Sequence, residues 1–161
     1  MEIEFILNGK EVKVDCPPLK RLIYILRQDF NLTGTKIGCK KGECCSCLVF
    51  LDETLVNACL VPAFRLTGKK IMTIEGFCRE KEFADIEKAF LETNIITCAF
   101  CTPALVMATQ ALLLAQYEPS KQEIRQTLSG SFCHYTGFNQ VLKAVTQAAK
   151  LRSKKKNGKK K

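Results

Sequence analysis

Apolar and polar side chains alternate over the first fifteen residues, as they do in strands with one buried face. The segments IEFIL and EVKVD flank Asn8 and Gly9, a dipeptide typical of two-residue hairpin turns. The same alternation returns on either side of Asp52 and Glu53, and a short apolar run follows it. The pattern therefore predicts two hairpins and a last short strand, in the segments IEFIL, EVKVD, CLVFLD, TLVNAC and KKIMTIEG.

Between the two hairpins the apolar residues change to helical spacing. Pro17 and Pro18 are suited to a helix start, and an apolar stripe continues to Gln28. This predicts one helix among the strands, with an apolar stripe made of Leu19, Leu22, Ile23, Ile25 and Leu26.

From about Gly76 the helical period becomes continuous. We expect Met107 and the leucines at 112–114 to form the core of a helical bundle. The fold class is therefore α+β: we predict a β-rich domain over residues 1–76, then an all-α domain over 77–151. We predict that the second domain consists of four helices: DIEKAFLET, PALVMATQALLLAQY after Thr102-Pro103, SKQEIRQTL opening on Ser120, and FNQVLKAVTQAAKL after Gly137.

The first domain carries four cysteines with the spacing of a plant-type 2Fe-2S cluster. C-x4-C-x2-C is followed by a more distant fourth cysteine, and a loop can supply three converging thiolates only by wrapping around the cluster. Gly38 and Gly42 are predicted to let this loop take positive φ and bring its N–H groups near the sulfurs. The predicted ligands are Cys39, Cys44, Cys47 and Cys59.

A closed zinc site is the first alternative for these thiols, but zinc sites usually pair two short C-x2-4-C knuckles across a longer gap. Unligated core thiols are the second alternative, since free cysteine is often buried. Cys45 adds a fifth thiol that either substitutes for a neighbour or is a spectator. Cys16 and Cys78 are interpreted as core or surface thiols.

The second domain has cysteines of its own, in two loops that precede predicted helices. Cys98 and Cys101 precede one helix, and Cys133, with His134 and Tyr135, precedes another. The positive end of a helix dipole stabilises thiolates and an anionic cluster. C-x2-C alone is also shared with zinc knuckles and redox pairs.

The net charge of +9 is concentrated at the chain end. Arg152 and six lysines supply +7 within residues 152–161, which leaves +2 for residues 1–151. We predict that 152–161 is a disordered basic tail and that the chain does not bind nucleic acid. The sequence has no signal peptide and no apolar membrane span, so we expect a cytoplasmic protein whose thiols stay reduced.

Several motifs together resemble the small iron-sulfur subunits of molybdenum hydroxylases, the xanthine dehydrogenase family. The resemblance runs from about residue 3 to 150 and rests on motifs that stand in the family's order and spacing. These are LTGTKIGCKKGECCSCLVFLDETLVNACLVPA, TIEG, CAFCTPALVM and LSGSFCHYTGFNQVLKAV.

The resemblance implies a ferredoxin-like β-grasp domain and a four-helix bundle, each holding a 2Fe-2S cluster. It also implies a role as the electron-transfer subunit of an oxidoreductase. Electrons would pass from a molybdopterin subunit through the clusters to a FAD subunit or another acceptor, with both of those cofactors on partner chains. The chain itself would have no catalytic residues.

The sequence departs from this family mainly at the second cluster. Ala99 stands where C-G-x-C has glycine, and Tyr135 stands where the fourth cysteine is expected. Cys98, Cys101 and Cys133 remain as ligands, and the fourth is His134, Tyr135, another group or none. In the first loop, Cys45 replaces the family's usual glycine. A stand-alone 2Fe-2S carrier or redox sensor with one intact cluster, and a zinc or scaffold protein, remain the alternative functions.

Overall fold

The computed structural model describes residues 1–95, 98–130 and 137–158, in two compact units, Met1–Arg79 and Glu80–Lys161. Unit 1 contains a mixed sheet of five strands, β1 (Glu2–Leu7), β2 (Lys10–Asp15), β3 (Leu48–Leu51), β4 (Thr54–Asn57) and β5 (Lys70–Met72). Their order in the sheet is β2-β1-β5-β3-β4. Strands β1 and β5 are parallel, and the other pairs are antiparallel.

Both predicted hairpins are present, and their turns use left-handed residues. Asn8 and Gly9 have φ of 51° and 80°, and Asp52 has φ of 54°. Positive φ at such turns matches the right-handed twist of the flanking strands. The final strand is shorter than predicted, because it ends at Met72 and a short helix, α2 (Ile74–Phe77), follows.

One helix packs on the sheet of unit 1, and it begins later than the sequence predicts. α1 (Leu22–Tyr24) continues as a π-helical segment, Ile25–Asp29. Pro18 disfavours helical geometry at Pro17, and the segment forms a turn instead, in which Lys20 N–H donates to Pro17 O at 2.9 Å. Leu19 is consequently 75% exposed and is not part of the core. The buried core of unit 1 includes Ile3, Phe5, Leu7, Leu22, Ile23, Ile25, Leu26, Val49 and Ile71.

The described residues of unit 2 form four longer helices at the predicted places. Ser120 caps the helix that begins at Lys121 with a reciprocal capping box, in which its hydroxyl accepts from Glu123 N–H and its own N–H donates to the Glu123 carboxylate at 2.7 Å. Met107, Leu112 and Leu113 are buried as expected, but Leu114 is exposed, because it faces away from the core. The helices are α3 (Phe83–Glu92), α4 (Thr102–Ala115), α5 (Lys121–Leu128) and α6 (Phe138–Gly158).

The predicted start of a disordered tail at residue 152 is wrong. α6 continues to Gly158, and the Arg152 side chain is buried inside unit 2. Its guanidinium donates to Gln110 Oε1 at 2.7 Å and to Glu82 O at 2.6 Å, and it lies 3.6 Å from the buried Asp85 carboxylate. Charge composition alone does not show that this arginine is buried.

In the part of the chain that the structure describes, no helix has the length and apolarity needed to cross a bilayer.

The environment of Arg152 leads to a stability prediction. Arg152→Ala should lower the free energy of unfolding by about 3 kcal/mol, because it leaves a buried carbonyl and amide oxygen without their donor. Lys154→Ala, two residues further along the same helix and exposed, should change it by less than about 0.5 kcal/mol. Urea unfolding followed by circular dichroism measures both, and equal midpoints for the two variants would contradict the assignment.

Candidate metal centre

The loop between the π-helical segment and β3 is tied to the rest of unit 1 by two arginine side chains. Arg27 donates to the carbonyls of Thr33 and Thr35 at 2.8 and 2.9 Å. Arg21 donates to Lys40 O at 2.7 Å. An arginine has several donors in a fixed plane, so one side chain can hold two carbonyls of an irregular loop.

Within this loop, backbone N–H groups converge on one sulfur. Cys39 Sγ accepts from the N–H groups of Lys41, Glu43 and Cys44 at 3.3, 3.2 and 3.3 Å. In return, Cys39 N–H donates to Cys44 Sγ at 3.3 Å. Successive N–H groups that point into a concavity form an anion-binding nest.

Left-handed residues make this convergence possible. Lys40, Gly42 and Cys45 have φ of 61°, 82° and 51°. Gly42 thus takes the positive φ predicted from the sequence, but Gly38 does not. A β-carbon at Gly38 would instead lie 2.6 Å from Cys44 Sγ, so the need for glycine there is close approach to the sulfur of a predicted ligand. Cys45 occupies a backbone conformation that a glycine would adopt without strain.

The other two predicted ligands come together through the second hairpin. Leu48 pairs with Asn57 across β3 and β4, and Ala58 N–H donates to Cys47 O at 3.0 Å. This register places Cys47, just before one strand, near Cys59, just after the other. Both side chains are buried, with 3% and 2% of their surface exposed.

The electrostatic environment differs strongly between two of the thiols. Hydrogen bonds from the N–H groups of Lys41 and Cys44 lower the pKa of Cys39 to about 6, because they favour the thiolate. Burial raises the pKa of Cys47 to about 12. A cationic metal centre offsets this second effect, since a coordinated thiol is deprotonated outright.

The donor set fits an iron-sulfur cluster. It combines thiols on one loop and one hairpin with N–H donors aimed at sulfur, which is the environment that tunes such clusters. Among the described residues, no three Cys, His, Asp or Glu side chains are arranged to hold a single metal ion. A 2Fe-2S cluster takes two ligands on each of two irons and does not require such a convergence.

Asn57 is a residue near the cysteines that sequence reasoning missed. Its amide N–H donates to Gly42 O at 3.3 Å, and its Oδ1 lies 3.7 Å from Cys47 Sγ. It therefore connects the loop to the hairpin. The sequence signal was its position two residues before Cys59.

A second missed group holds the start of the loop. Glu75 accepts from Gly34 N–H at 2.8 Å and from the Thr73 hydroxyl at 2.6 Å. Thr73 N–H donates in turn to Asn8 Oδ1 at 2.8 Å. The hairpin turn at Asn8 is thereby linked to the loop that carries the cysteines.

In unit 2, two predicted ligands lie next to each other at the start of α4. Cys98 Sγ and Cys101 Sγ are 3.7 Å apart. Two thiolates on one tetrahedral metal, with bonds of about 2.3 Å, would be separated by about 3.8 Å. Thr102 N–H and its hydroxyl both donate to Cys98 O, at 3.1 and 2.8 Å, and so fix the turn between the two cysteines.

The remaining candidates for the second site, Cys133, His134 and Tyr135, lie outside the described residues. The composition of that site stays a prediction.

Comparison with known proteins gives matches to two domain families. A 2Fe-2S iron-sulfur cluster binding domain matches residues 5–71, and a 2Fe-2S binding domain matches residues 73–146. The chain is 36% identical to a probable xanthine dehydrogenase subunit from Bacillus subtilis, over 86% of this chain and 80% of that protein. It is 34% identical to the nicotinate dehydrogenase small FeS subunit of Eubacterium barkeri, over 88% and 90%.

Solved structures agree with these sequence matches. Quinoline 2-oxidoreductase from Pseudomonas putida 86 has a chain that superposes with a TM-score of 0.88 at 31% identity, covering 96% of both chains. Aldehyde oxidoreductase from Desulfovibrio gigas gives the same TM-score at 30% identity, but the match covers only 17% of that longer chain.

These matches define a class, the two-domain 2Fe-2S modules of molybdenum-containing oxidoreductases. Within that class, the chain belongs to the family of small iron-sulfur subunits, which transfer electrons in xanthine dehydrogenase, nicotinate dehydrogenase and related molybdenum hydroxylases.

The two pKa shifts predict different thiol reactivity in metal-free, reduced protein. A lowered pKa means that Cys39 is a thiolate above about pH 6. Its alkylation by iodoacetamide should therefore rise from pH 5 to 7, in the range around that value, and then level off, while Cys47 stays protonated and slow. Mass spectrometry of the labelled peptides measures both rates. A Cys39 profile centred near its ordinary value of 9.0 would contradict the N–H arrangement.

The close approach at Gly38 gives a second test. Gly38→Ala should reduce bound iron by roughly half or more, since the loop must shift to accommodate a methyl group beside Cys44 Sγ. The control is Gly68→Ala, where φ is +70° but nothing lies within 4 Å of an added β-carbon. That variant should lose about 1 kcal/mol of stability and keep its iron. Equal iron content in both variants would refute the role of Gly38.

Proposed function

We propose that Cys39, Cys44, Cys47 and Cys59 hold one 2Fe-2S cluster. The observation that carries this proposal is the convergence of three backbone N–H groups on Cys39 Sγ. When bound, such a cluster supplies one-electron transfer at low potential. The residues of this chain supply thiolates, stabilise their negative charge, and bury one side of the centre through Cys47 and Cys59.

We further propose a second 2Fe-2S site in the helical unit, with Cys98, Cys101 and Cys133 as ligands. The short separation of Cys98 and Cys101 supports it. The fourth ligand is His134 or Tyr135, or the cluster is incomplete. Imidazole replaces thiolate in Rieske centres, whereas phenolate is a harder donor that matches a reducible iron less well.

In this proposal the chain relays electrons from a molybdopterin subunit to a FAD subunit or another acceptor. The likeness to a separate small FeS subunit, covered over 90% of its length, supports placing molybdopterin and FAD on partner chains. We assign no substrate-converting residue to this chain.

A second candidate function is a stand-alone carrier or redox sensor with one intact cluster. The observation that favours it is Tyr135, in the position where the resemblance predicts a cysteine ligand. Co-purification separates the two functions, since a relay subunit should elute with a large pterin-containing chain and a carrier should elute alone.

The first cluster is tested by paramagnetic resonance of the reduced protein. We expect a 2Fe-2S signal of ferredoxin type with a potential in the region of about −400 mV, and its loss or alteration in Cys44→Ser. Cys78→Ser is the matched control, because that exposed thiol is not a proposed ligand. An unchanged spectrum in Cys44→Ser, with loss of the signal in Cys101→Ser, would overturn the assignment.

The second site is tested by iron content. The protein as isolated should contain fewer than four irons per chain, or a labile second cluster, and Tyr135→Cys should restore a stable one. His134→Ala then separates imidazole ligation from the other possibilities. Four irons and two ordinary four-cysteine spectra in the unmodified protein would refute this prediction.

A further inference from the structure

A groove of about 740 Å³ lies between α3, α5 and α6, within unit 2. Four basic side chains line it, two on α5 and two on α6. They are Lys121, Arg125, Lys143 and Lys150. The buried side chain of Leu142 contributes an apolar floor, and the volume of the groove is in the range of typical ligand and peptide sites.

Within the described residues, these four cations are not paired with a carboxylate. None of the four forms a salt bridge with any residue in the described ranges. The one carboxylate in the groove, Glu92, already accepts a hydrogen bond from Gln147 at 3.1 Å and lies 3.9 Å from Lys88. The groove therefore carries an excess of positive charge, with four cations and one carboxylate in its lining.

The spacing of the cations makes two rows along the groove. Lys121 and Arg125 are four residues apart on α5, and Lys143 and Lys150 are seven apart on α6, so each pair lies on one helix face. With a rise of 1.5 Å per residue, the rows extend for about 6 Å and about 10 Å. Like charges across a groove repel each other, and an extended anion between the rows would remove that repulsion.

We propose that this groove docks a carboxylate-rich segment of a partner subunit, an inference that rests on the proposed function as one subunit of a complex. All four cationic side chains are exposed. A small anion would have to immobilise these long side chains without excluding water, which gives little net affinity. A polypeptide partner covers the groove, lowers the screening of each charge pair, and packs aliphatic carbons on Leu142.

The test uses a fluorescein-labelled hexaglutamate peptide and the full-length chain with its clusters loaded. At low ionic strength the peptide should bind and raise fluorescence anisotropy, and hexaglutamine should not. The groove variant carries Lys121→Gln, Arg125→Gln, Lys143→Gln and Lys150→Gln. It should bind the peptide roughly tenfold or more weakly.

The control variant removes the same charge elsewhere, at exposed residues that form no ion pair within the described part of the chain. It carries Lys10→Gln, Arg79→Gln, Lys81→Gln and Lys154→Gln, and so also loses three lysines and one arginine. It should bind the peptide within about twofold of the unmodified chain. Equal weakening in the two variants would mean that only net charge matters and would overturn the proposal. Inorganic tripolyphosphate that binds while hexaglutamate does not would also overturn it, in favour of a phosphate site.

The experiments distinguish an error in the docking proposal from an error in the proposed electron-transfer function. Both variants should keep the iron content and the ferredoxin-type signal, because neither touches a proposed ligand. In a purified complex with the pterin-containing chain, the groove variant should dissociate at lower salt than the control variant, and equal dissociation would contradict the docking role. Absence of iron would refute the electron-transfer proposal, while the hexaglutamate titration would still decide the groove.

Discussion

The proposed cluster requires several thiolates to lie within a few ångströms of one another, and much of unit 1 fits that requirement. Thiolates repel each other, so each needs a donor or a cation nearby. Backbone N–H groups can serve only where the chain curls around the sulfur, which requires left-handed residues such as Lys40 and Gly42. Such a loop has no β-sheet hydrogen bonds of its own. Instead, the side chains of Arg21, at the start of α1, and Arg27, in the π-helical segment, donate hydrogen bonds to its carbonyls.

The parts of the fold that depend on neighbouring residues were predictable from sequence. Asn8-Gly9 and Asp52 specify their turns locally, and Ser120 with Glu123 specifies the start of α5 within three residues. The cysteine spacing likewise indicated the loop in which three N–H groups converge on Cys39 Sγ, while the set of ligands stays a prediction. The helix after Pro17 was predicted too early because the restriction that one proline places on the preceding residue outweighed the apolar stripe.

The parts that could not be predicted depend on partners far apart in sequence. Glu75 reaches a loop residue 41 positions earlier, and Arg152 reaches a carbonyl 70 positions earlier. No local pattern encodes either pairing. Arg152 also shows why composition misled: a guanidinium can hold several oxygens at once and is suited to burial, whereas the lysine ammoniums around it are strongly hydrated.

The hydrogen bond from Gly34 N–H to Glu75 makes the Gly34 amide a probe of the loop between the π-helical segment and β3. Glu75 also accepts from Thr73, whose own N–H donates to the hairpin turn at Asn8, so this amide is protected only while the hairpin, the short helix α2 and the loop are together. The hydrogen-exchange rate of this amide therefore measures whether these three elements are assembled, independently of whether iron is bound to the cysteines. Maturation of the centre can thus be divided into closing the scaffold and loading the metal, two steps that optical absorption of a cluster cannot distinguish.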